Sequence, residues 1–555
     1  MNRCARVLLI GAEDEENLAI RSLSAYLRRH GHTACLAGFS HPGDADGVAK
    51  LIRHFSPDIV AVSAAFQCKA DAIFTMLQRL RDGGYRGHIV VGGHFPTFEY
   101  RRILETQEAI DSVLRYEGEH GILQLADAVV GGTGLQGVPN LVYRASGGIA
   151  ENPCACQFMD LDELPFPDRN KRAHRRLGER FATLVSSRGC WHASCLYCCI
   201  GAFHRDKPRK FAQRSAASVA EEIAHLHHRK GVNLLQFHDD NFVLASPELT
   251  CTRVKDIHRE LLARDVRVAE LAFLIKARPD VVDNAVAEAL GELGCVGVFL
   301  GVENATESGL HALCRGADLA GIERSLTCLT RQGIAVTYNL LVFHPHATMD
   351  EIRANVAFAR KHPTLPFDFG RAEIVAGSPL ERQVVSEGMR CGSWPMWDYR
   401  LRDPVVQRAF DVNRSTFRAP HSRYSALMHA LIALCYHAAA MRRLHAGRSA
   451  EAMATAVTDL IASANRFVAG RIEEMIALAE GQADGASVKE LGEALHAGCR
   501  EHLKKANSLR REMLRLQAAE HVFQWFGIRQ MVQELPLAGL FGVRRGAESA
   551  SRSTL

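Results

Sequence analysis

The feature that most constrains this chain is a rhythm that occurs twice: a short apolar run, a stretch with helical spacing, then another run. The runs of the first series are 6-RVLLI-10, 58-DIVAVSAAF-66, 88-HIVVGG-93 and 111-DSVLRY-116. Short runs that are apolar throughout read as strands covered on both faces, which is the pattern of a parallel sheet. Between the first two, Leu18, Ile20, Leu23 and Leu27 make one helical stripe that Gly31 stops. Parallel strands need such crossovers, so the series predicts an α/β, doubly wound (Rossmann-like) domain over residues 1–145. In such a sheet ligands sit beyond the carboxyl ends of the strands, here the loops that start at Gly11, Ala64 and Gly92.

The second series runs 182-ATLVSS-187, 233-NLLQFH-238, 271-LAFLIK-276, 295-CVGVFLG-301, 335-AVTYNLLVF-343 and 371-RAEIVA-376, each followed by a helical segment. Six βα units predict a partial (β/α)6 barrel over residues 181–400, with its chemistry at the carboxyl ends of the strands. The stretch 151-ENPCACQFMDLDELPFPDRNKRAHRR-176 has no period and is rich in proline and charge, so residues 146–180 read as a linker. From about residue 400 the strands stop, and 423-RYSALMHALIALCYHAAAMRRLHAG-447 and the segment over 488–526 have helical spacing. They predict a C-terminal α-helical domain over 401–543, followed by a polar, disordered tail at 544–555.

Composition narrows the class of protein. A hydrophobic content of 47% with 23% charged residues is that of a globular chain, and a net charge of +5 over 555 residues implies no nucleic-acid partner. The apolar run at the start ends in acid and is too short for a signal peptide. No stretch reaches the roughly 18 apolar residues of a bilayer span, the nearest being 426-ALMHALIALCYHAAAM-441, so a cytoplasmic protein without a membrane span is expected. Of the 16 cysteines most are scattered, without the spacing of a disulfide framework.

The exception is 186-SSRGCWHASCLYCC-199, which follows directly on the first barrel strand. Cys190, Cys195 and Cys198 have C-x4-C-x2-C spacing, with Cys199 adjacent. Soft thiolates gathered on one loop suit zinc, copper(I) or an iron–sulfur cluster. A structural zinc site uses four ligands in two pairs, yet Cys154 and Cys156 are one residue apart and His192 and His204 lack the spacing. Three ligands without a fourth would leave one cluster metal open to a substrate.

This loop resembles that of the radical S-adenosylmethionine (SAM) enzymes, in which C-x3-C-x2-C holds a [4Fe-4S] cluster whose open iron chelates SAM. The first gap here is one residue longer, which is similar to a variant found in cobalamin-dependent members. The resemblance implies that Cys190, Cys195 and Cys198 are the cluster ligands and that Cys199 is the spare. It also implies that Tyr197 lies against the adenine of SAM, the alternative being a packing aromatic, and that Glu303 of 299-FLGVENATE-307 reaches the SAM ribose or amino group. Asp239 and Asp240 of 237-FHDDNF-242 are acids at a strand end that either face the site or cap a helix. Arg278 of 276-KARPD-280 and Arg214 are candidates for the SAM carboxylate, because a guanidinium offers a planar fork. His344 and His346 stand where relatives carry Pro-Gly-Glu-Thr, and either contact substrate or satisfy local backbone; Cys391 is a radical-quenching thiol or a packing residue.

In the first domain the absence of G-x-G-x-x-G removes support for a dinucleotide. Instead 62-VSAAFQ-67 and 91-VGGHFPTF-98 resemble loops that admit the nucleotide tail of cobalamin, with Ser63, Gly92 and Gly93 small enough for a bulky ligand to approach the backbone. The segment 11-GAEDEENLA-19 lacks the D-x-H-x-x-G of domains that ligate cobalt through histidine. The resemblance is therefore to the branch without that ligand, where the lower cobalt face meets Phe66, Gln67 and Cys68, with His94 as the rival.

The activity implied is methylation of an unactivated carbon, or of phosphorus, in a small-molecule secondary metabolite or peptide substrate. It uses a 5′-deoxyadenosyl radical and methylcobalamin, with electrons from an external flavodoxin- or ferredoxin-like donor. The alternatives are a radical cyclisation or rearrangement with the same cofactors, and a cobalamin-binding sensor or carrier whose thiols hold structural zinc. The helical domain shapes the substrate pocket, docks a carrier or precursor peptide, or covers the barrel mouth.

Overall fold

In the computed structural model, which describes residues 4–13, 15–154, 159–204, 210–481 and 484–525, the first rhythm folds into a seven-stranded sheet. Strands β1 (Arg6–Gly11), β2 (Thr33–Gly38), β3 (Ile59–Ser63), β4 (His88–Gly92) and β5 (Ser112–Leu114) are parallel, in the order β2-β1-β3-β4-β5. A hairpin of β6 (Leu141–Ala145) and β7 (Gly148–Glu151) continues the sheet antiparallel to β5. Alternate residues of one strand serve opposite cores. Leu8, Ile10, Val60 and Val62 pack on one face, and Val7, Leu9, Ile59 and Ala61 on the other. This is why the runs are apolar throughout. The hairpin corrects the expected boundary, since the sheet extends past residue 145 to Glu151.

The second rhythm gives a sheet of β8 (His174–Arg176), β9 (Glu179–Leu184), β12 (Leu234–Phe237), β13 (Ala272–Ala277), β14 (Cys295–Glu303), β15 (Ala335–Phe343) and β16 (Phe367–Arg371), in the order β16-β15-β14-β13-β12-β9-β8. Six of these are parallel and β8 is an antiparallel edge. Two ribbons stand apart: β10 (Ser187–Gly189) with β11 (Phe211–Gln213), and β17 (Arg390–Ser393) with β18 (Met396–Tyr399). The barrel thus begins at residue 174 rather than 181.

The sixth strand lies earlier than the sequence suggests, at Phe367–Arg371 and not at 371–376. The sheet pairing ends where the amide of Ala372 donates to the carbonyl of Phe343. The extended segment beyond it turns to the first domain. There the Gln67 amide donates to the carbonyl of Ile374 (2.8 Å) and accepts from the Ala376 amide (3.0 Å).

Helices Pro404–Ser415, Tyr424–Leu444, Arg448–Glu480 and Gly485–Trp525 follow the barrel. Helix Tyr424–Leu444 is long and apolar enough, by length and composition, to cross a membrane. In the fold it lies along the inner face of the barrel: Phe181, Leu234, Ala272 and Leu274 meet Tyr436 and Ala440, while Leu235, Phe273 and Ile275 face the crossover helices. Phe181, Leu234 and Ala272 stand at or near the starts of their strands, so this helix fills the end opposite the cysteine loop instead of covering the mouth. The expected tail at 544–555 lies outside the described residues, as do residues 526–543.

The two α/β units are joined by buried charge. Arg169 donates to Glu16 of the first (2.7 Å) and to Glu222 of the second (2.6 Å), and Arg214 donates to Glu222 (2.5 Å). Across the same seam the indole Nε1 of Trp394 donates to Glu99 (2.8 Å), with its ring stacked on Phe74.

Candidate active site

The cysteine loop leaves the carboxyl end of β9 and is pinned at each side. Buried Asp239, just past β12, accepts hydrogen bonds from the Ser186 amide (2.7 Å), the Ser186 hydroxyl (2.5 Å) and the Ser187 amide (3.2 Å). Asp240 accepts from the Gly189 amide (3.1 Å). The two acids therefore hold the entry to the loop. Gly189 has φ +82°, and a Cβ there would lie 2.1 Å from the carbonyl of Lys210, so only glycine lets β10 pair with β11. Further on, the indole of Trp191 donates to the carbonyl of Val243 (3.0 Å), the Leu196 amide donates to the carbonyl of Leu313 (3.0 Å), and the Leu380 amide donates to that of Leu196 (2.8 Å).

The thiols are not equivalent. Burial works against the thiolate of Cys195, but the neighbouring His192 imidazole and the guanidiniums of Arg315 and Arg278 outweigh it and bring the thiol down to about 7. Burial raises Cys190 and pushes Cys198 up to about 12 and Cys199 up to about 11. One sulfur is thus prepared as the anion a metal requires, and the others give up protons as metal binds. Among the described residues no three His, Cys, Asp or Glu side chains converge as the ligands of one ion must. An iron–sulfur cluster asks for something else, separate thiolates on separate irons. The donor set of three soft sulfurs on one braced loop fits such a cluster.

Glu303 ends β14, where the register with β15 slips, and has φ +66°. Burial raises its carboxyl pKa, while Arg315, Tyr197 and Asn339 work against that rise. Its Oε2 is buried with no hydrogen-bond partner, as is Asn339 Oδ1. Unmade bonds of this kind are costly, and they mark a place built to receive a polar ligand. Tyr197, beside them, is likewise raised by burial and by Glu303. These groups fit SAM.

Other candidates sit elsewhere. Arg278 is at the loop, with Nη1 3.8 Å from Cys195 Sγ and its Nε paired with Asp280 (3.0 Å). The donors of Arg214 end on Glu222, on the carbonyl of Val185 and on Ser218, so its fork is spent inside the fold and is not available to a SAM carboxylate. His344 pairs with Glu351 (3.2 Å) and His346 with Glu387 (3.0 Å). Cys391 lies in the β17–β18 ribbon, beside a cavity of about 690 Å³ lined by Arg390, Arg400 and Arg402. Arg315, from 313-LCRG-316, carries no signal in the sequence: it is a lone arginine in a turn, placed on Cys195 only by the fold.

The loops of the first domain face this loop. His94, at the start of helix His94–Thr106, packs its ring against that of Phe203 just after the cysteines, with centroids 4.5 Å apart and planes tilted by 44°, and Arg188 donates to Glu117 (3.1 Å) and Glu119 (2.6 Å). Burial lowers the His94 pKa. Gly93 has φ +108°, and a Cβ there would meet Ala65 N at 3.1 Å and Ala64 C at 3.2 Å; at Gly92 it would meet the carbonyl of Leu114 at 3.1 Å. Ser63 pairs in register with Gly92 at the ends of β3 and β4. The two glycines thus let the segments at the ends of β3, β4 and β5 pack backbone to backbone, and they form a tight floor at the carboxyl ends of the strands, where a sheet of this kind takes its ligand. Gln67 is occupied by its bonds to Ile374 and Ala376 and is not free to meet a ligand, Cys68 is exposed, and Phe66 is 69% exposed.

Comparison with known proteins gives the class. The B12 binding domain model matches residues 8–126 and the Radical SAM superfamily model residues 184–359. The chain therefore joins a B12-binding domain to a radical SAM domain and is a radical SAM enzyme of the cobalamin-dependent kind, with a [4Fe-4S] cluster, SAM and cobalamin as its cofactors. It is 25% identical over 392 residues to an uncharacterized methyltransferase of Pyrococcus horikoshii, covering 70% of this chain and 79% of that one. It is 26% identical over 329 residues to the anaerobic magnesium-protoporphyrin IX monomethyl ester cyclase of a Synechocystis species, covering 57% of this chain and 62% of that one. Its fold is similar to that of OxsB, a cobalamin-dependent SAM radical enzyme solved with aqua-cobalamin and SAM, with a TM-score of 0.64 and 16% identity over 93% of this chain and 84% of that one.

Proposed function

We propose that this enzyme is a methyltransferase acting on an unactivated carbon of a small molecule or peptide. The observation that carries the reading is the meeting of two loops: the floor at Gly92–Gly93 and the cysteine loop are held face to face by His94 on Phe203 and by Arg188 on Glu117 and Glu119. Chemistry that passes between two cofactors needs both held at contact distance and shielded from water. When bound, the cluster supplies one electron for reductive cleavage of SAM, and cobalamin supplies a transferable methyl group.

The residues have distinct tasks. Cys190, Cys195 and Cys198 hold the cluster, and Asp239 and Asp240 fix the entry to their loop. Glu303 and Asn339 offer buried, unpartnered oxygens to the amino or ribose hydroxyl hydrogens of SAM, with Tyr197 beside its adenine. Phe66 is the residue of its loop that would contact bound cobalamin, since it is exposed and the Gln67 amide is engaged elsewhere. The name of the Pyrococcus relative supports methyl transfer. That of the Synechocystis relative supports the second reading, a radical cyclisation without net methylation.

Anaerobic reconstitution with iron, sulfide, cobalamin and SAM separates the two. The methyltransferase reading expects methylation of the reduced cobalamin by SAM, with release of S-adenosylhomocysteine. Formation of 5′-deoxyadenosine with neither product would favour the cyclase.

A further inference from the structure

Two arginines from different elements meet on a single sulfur. Arg278 closes β13, and Arg315 lies in the turn that follows helix Glu307–Ala312. Nη1 of each donates to Cys195 Sγ, at 3.8 Å and 3.4 Å. Neither guanidinium is free to swing away. Arg315 donates through Nε and Nη2 to the carbonyl of Gly301 (3.2 and 2.6 Å), and Nη2 of Arg278 donates to the carbonyl of Arg315 (2.6 Å). The ring of Trp191 lies 5.0 Å from the Arg278 guanidinium, and Asp280 holds its Nε.

The same turn grips the loop by its backbone. The carbonyl of Leu313 takes the amide of Leu196, the carbonyl of Cys314 lies 3.0 Å from His192 Nε2, and at Gly316 (φ +63°) a Cβ would lie 2.5 Å from the His192 ring. Neither guanidinium donates to Cys190 or Cys198: Cys190 has the backbone amides of His192 and Ala193 as its nearest partners, with Arg278 near enough to act on it through space, and Cys198 has the amide of Ile200 and no cation. Of the three sulfurs, Cys195 is the one that both guanidiniums reach by hydrogen bonds. Both arginines are buried, at 3% and 4% exposure, so solvent and salt screen them little.

We propose that Arg278 and Arg315 are paired positioning residues that fix Cys195 and raise the reduction potential of the cluster it helps to hold. The proposal rests on the radical SAM reading above. Adding one electron from an external one-electron donor makes the cluster more negative, with no bond made or broken. Hydrogen bonds to its sulfurs and nearby positive charge favour that state. A merely structural brace would hold the loop without moving the potential.

The test uses the full chain reconstituted with iron and sulfide, and reads the midpoint of the cluster by redox titration followed by electron paramagnetic resonance. R278Q and R315Q are each expected to keep iron and sulfide yet lower the ratio of reduced to oxidised cluster at a fixed potential about tenfold, or about 59 mV for one electron. R315K, which keeps the charge but not the fork, should stay within about threefold of the parent ratio. Glutamine variants that hold a cluster at the parent midpoint would overturn the proposal. Should R315Q fail to hold one, R278Q decides, because the backbone brace at Leu313 and Cys314 is intact in it. Loss of the cluster in both would leave a structural role and overturn the tuning claim. Failure of the parent chain itself to take up iron and sulfide would instead overturn the radical SAM reading, and the proposal with it.

Discussion

Replacing Gly93 with alanine should damage the first domain and its ligand floor together. The backbone there has φ +108° and ψ −174°, a region that only glycine occupies freely, and forcing another residue into it costs about 1–3 kcal/mol. The new Cβ would also stand 3.1–3.2 Å from Ala65 N, Ala64 C and Ala65 Cα, which are backbone atoms unable to rotate aside. Overpacking of that kind costs a further 1–3 kcal/mol or about that. Taking about 3 kcal/mol for the sum and about 2–4 °C per kcal/mol for a domain of this size, the first thermal transition should fall by about 6–12 °C. Relief can come only by moving the Ala64–Phe66 loop off the floor, so cobalamin retained through gel filtration should fall as well. Gly84 is the control: its φ is +91°, yet a Cβ there meets nothing within 4 Å. Gly84→Ala should show the backbone cost alone and retain cobalamin. A Gly93→Ala protein that melts within about 1 °C of the parent and keeps its cobalamin would refute the reasoning.

On the proposed ligand set, Cys198→Ala should abolish iron and sulfide uptake, whereas Cys199→Ala, at a buried thiol outside that set, should leave both largely intact; the reverse result would mean that the ligand set is Cys190, Cys195 and Cys199. Gln67→Ala leaves the carbonyl of Ile374 and the amide of Ala376 without partners at a cost of about 1–3 kcal/mol, and hydrogen exchange at residues 372–378 should accelerate markedly, unchanged exchange counting against the clamp. Burial pushes the Glu222 carboxyl up, but Arg169 and Arg214 more than offset this and hold it below the ordinary glutamate range. Its contribution is therefore present above the unfolded value and is lost as pH falls through the lowered folded value, so the parent should be less stable at acid pH. Glu222→Gln should cost about 3–5 kcal/mol at neutral pH and flatten the acid limb, and a variant with the parent's pH profile would contradict the assignment.

Most of the architecture was legible because burial on both faces writes itself into a strand as an unbroken apolar run, as in Arg6–Gly11 and Cys295–Glu303. The cysteine loop was legible because its spacing is local. What escaped depends on tertiary context. Thr33–Gly38 is a half-exposed edge strand with a mixed pattern, so it gave no clear run. The segment 372–376 is extended and apolar like a strand, yet its hydrogen bonds go to the side chain of Gln67 and not to a sheet. Helix Tyr424–Leu444 shows an apolar helix but not that the barrel interior is its destination. At the site, Arg214 and Arg278 look alike in sequence. Only the fold shows that Glu222 and Ser218 consume the first while the second reaches Cys195, and that Arg315 joins it there.

The most direct measurement is electron paramagnetic resonance of the oxygen-free, reconstituted chain, reduced and then given SAM. Three cysteine ligands and an open iron predict a signal of one reduced [4Fe-4S] cluster that shifts when SAM is added, followed by SAM cleavage. Zinc in place of iron, or a cluster signal indifferent to SAM, would contradict the account.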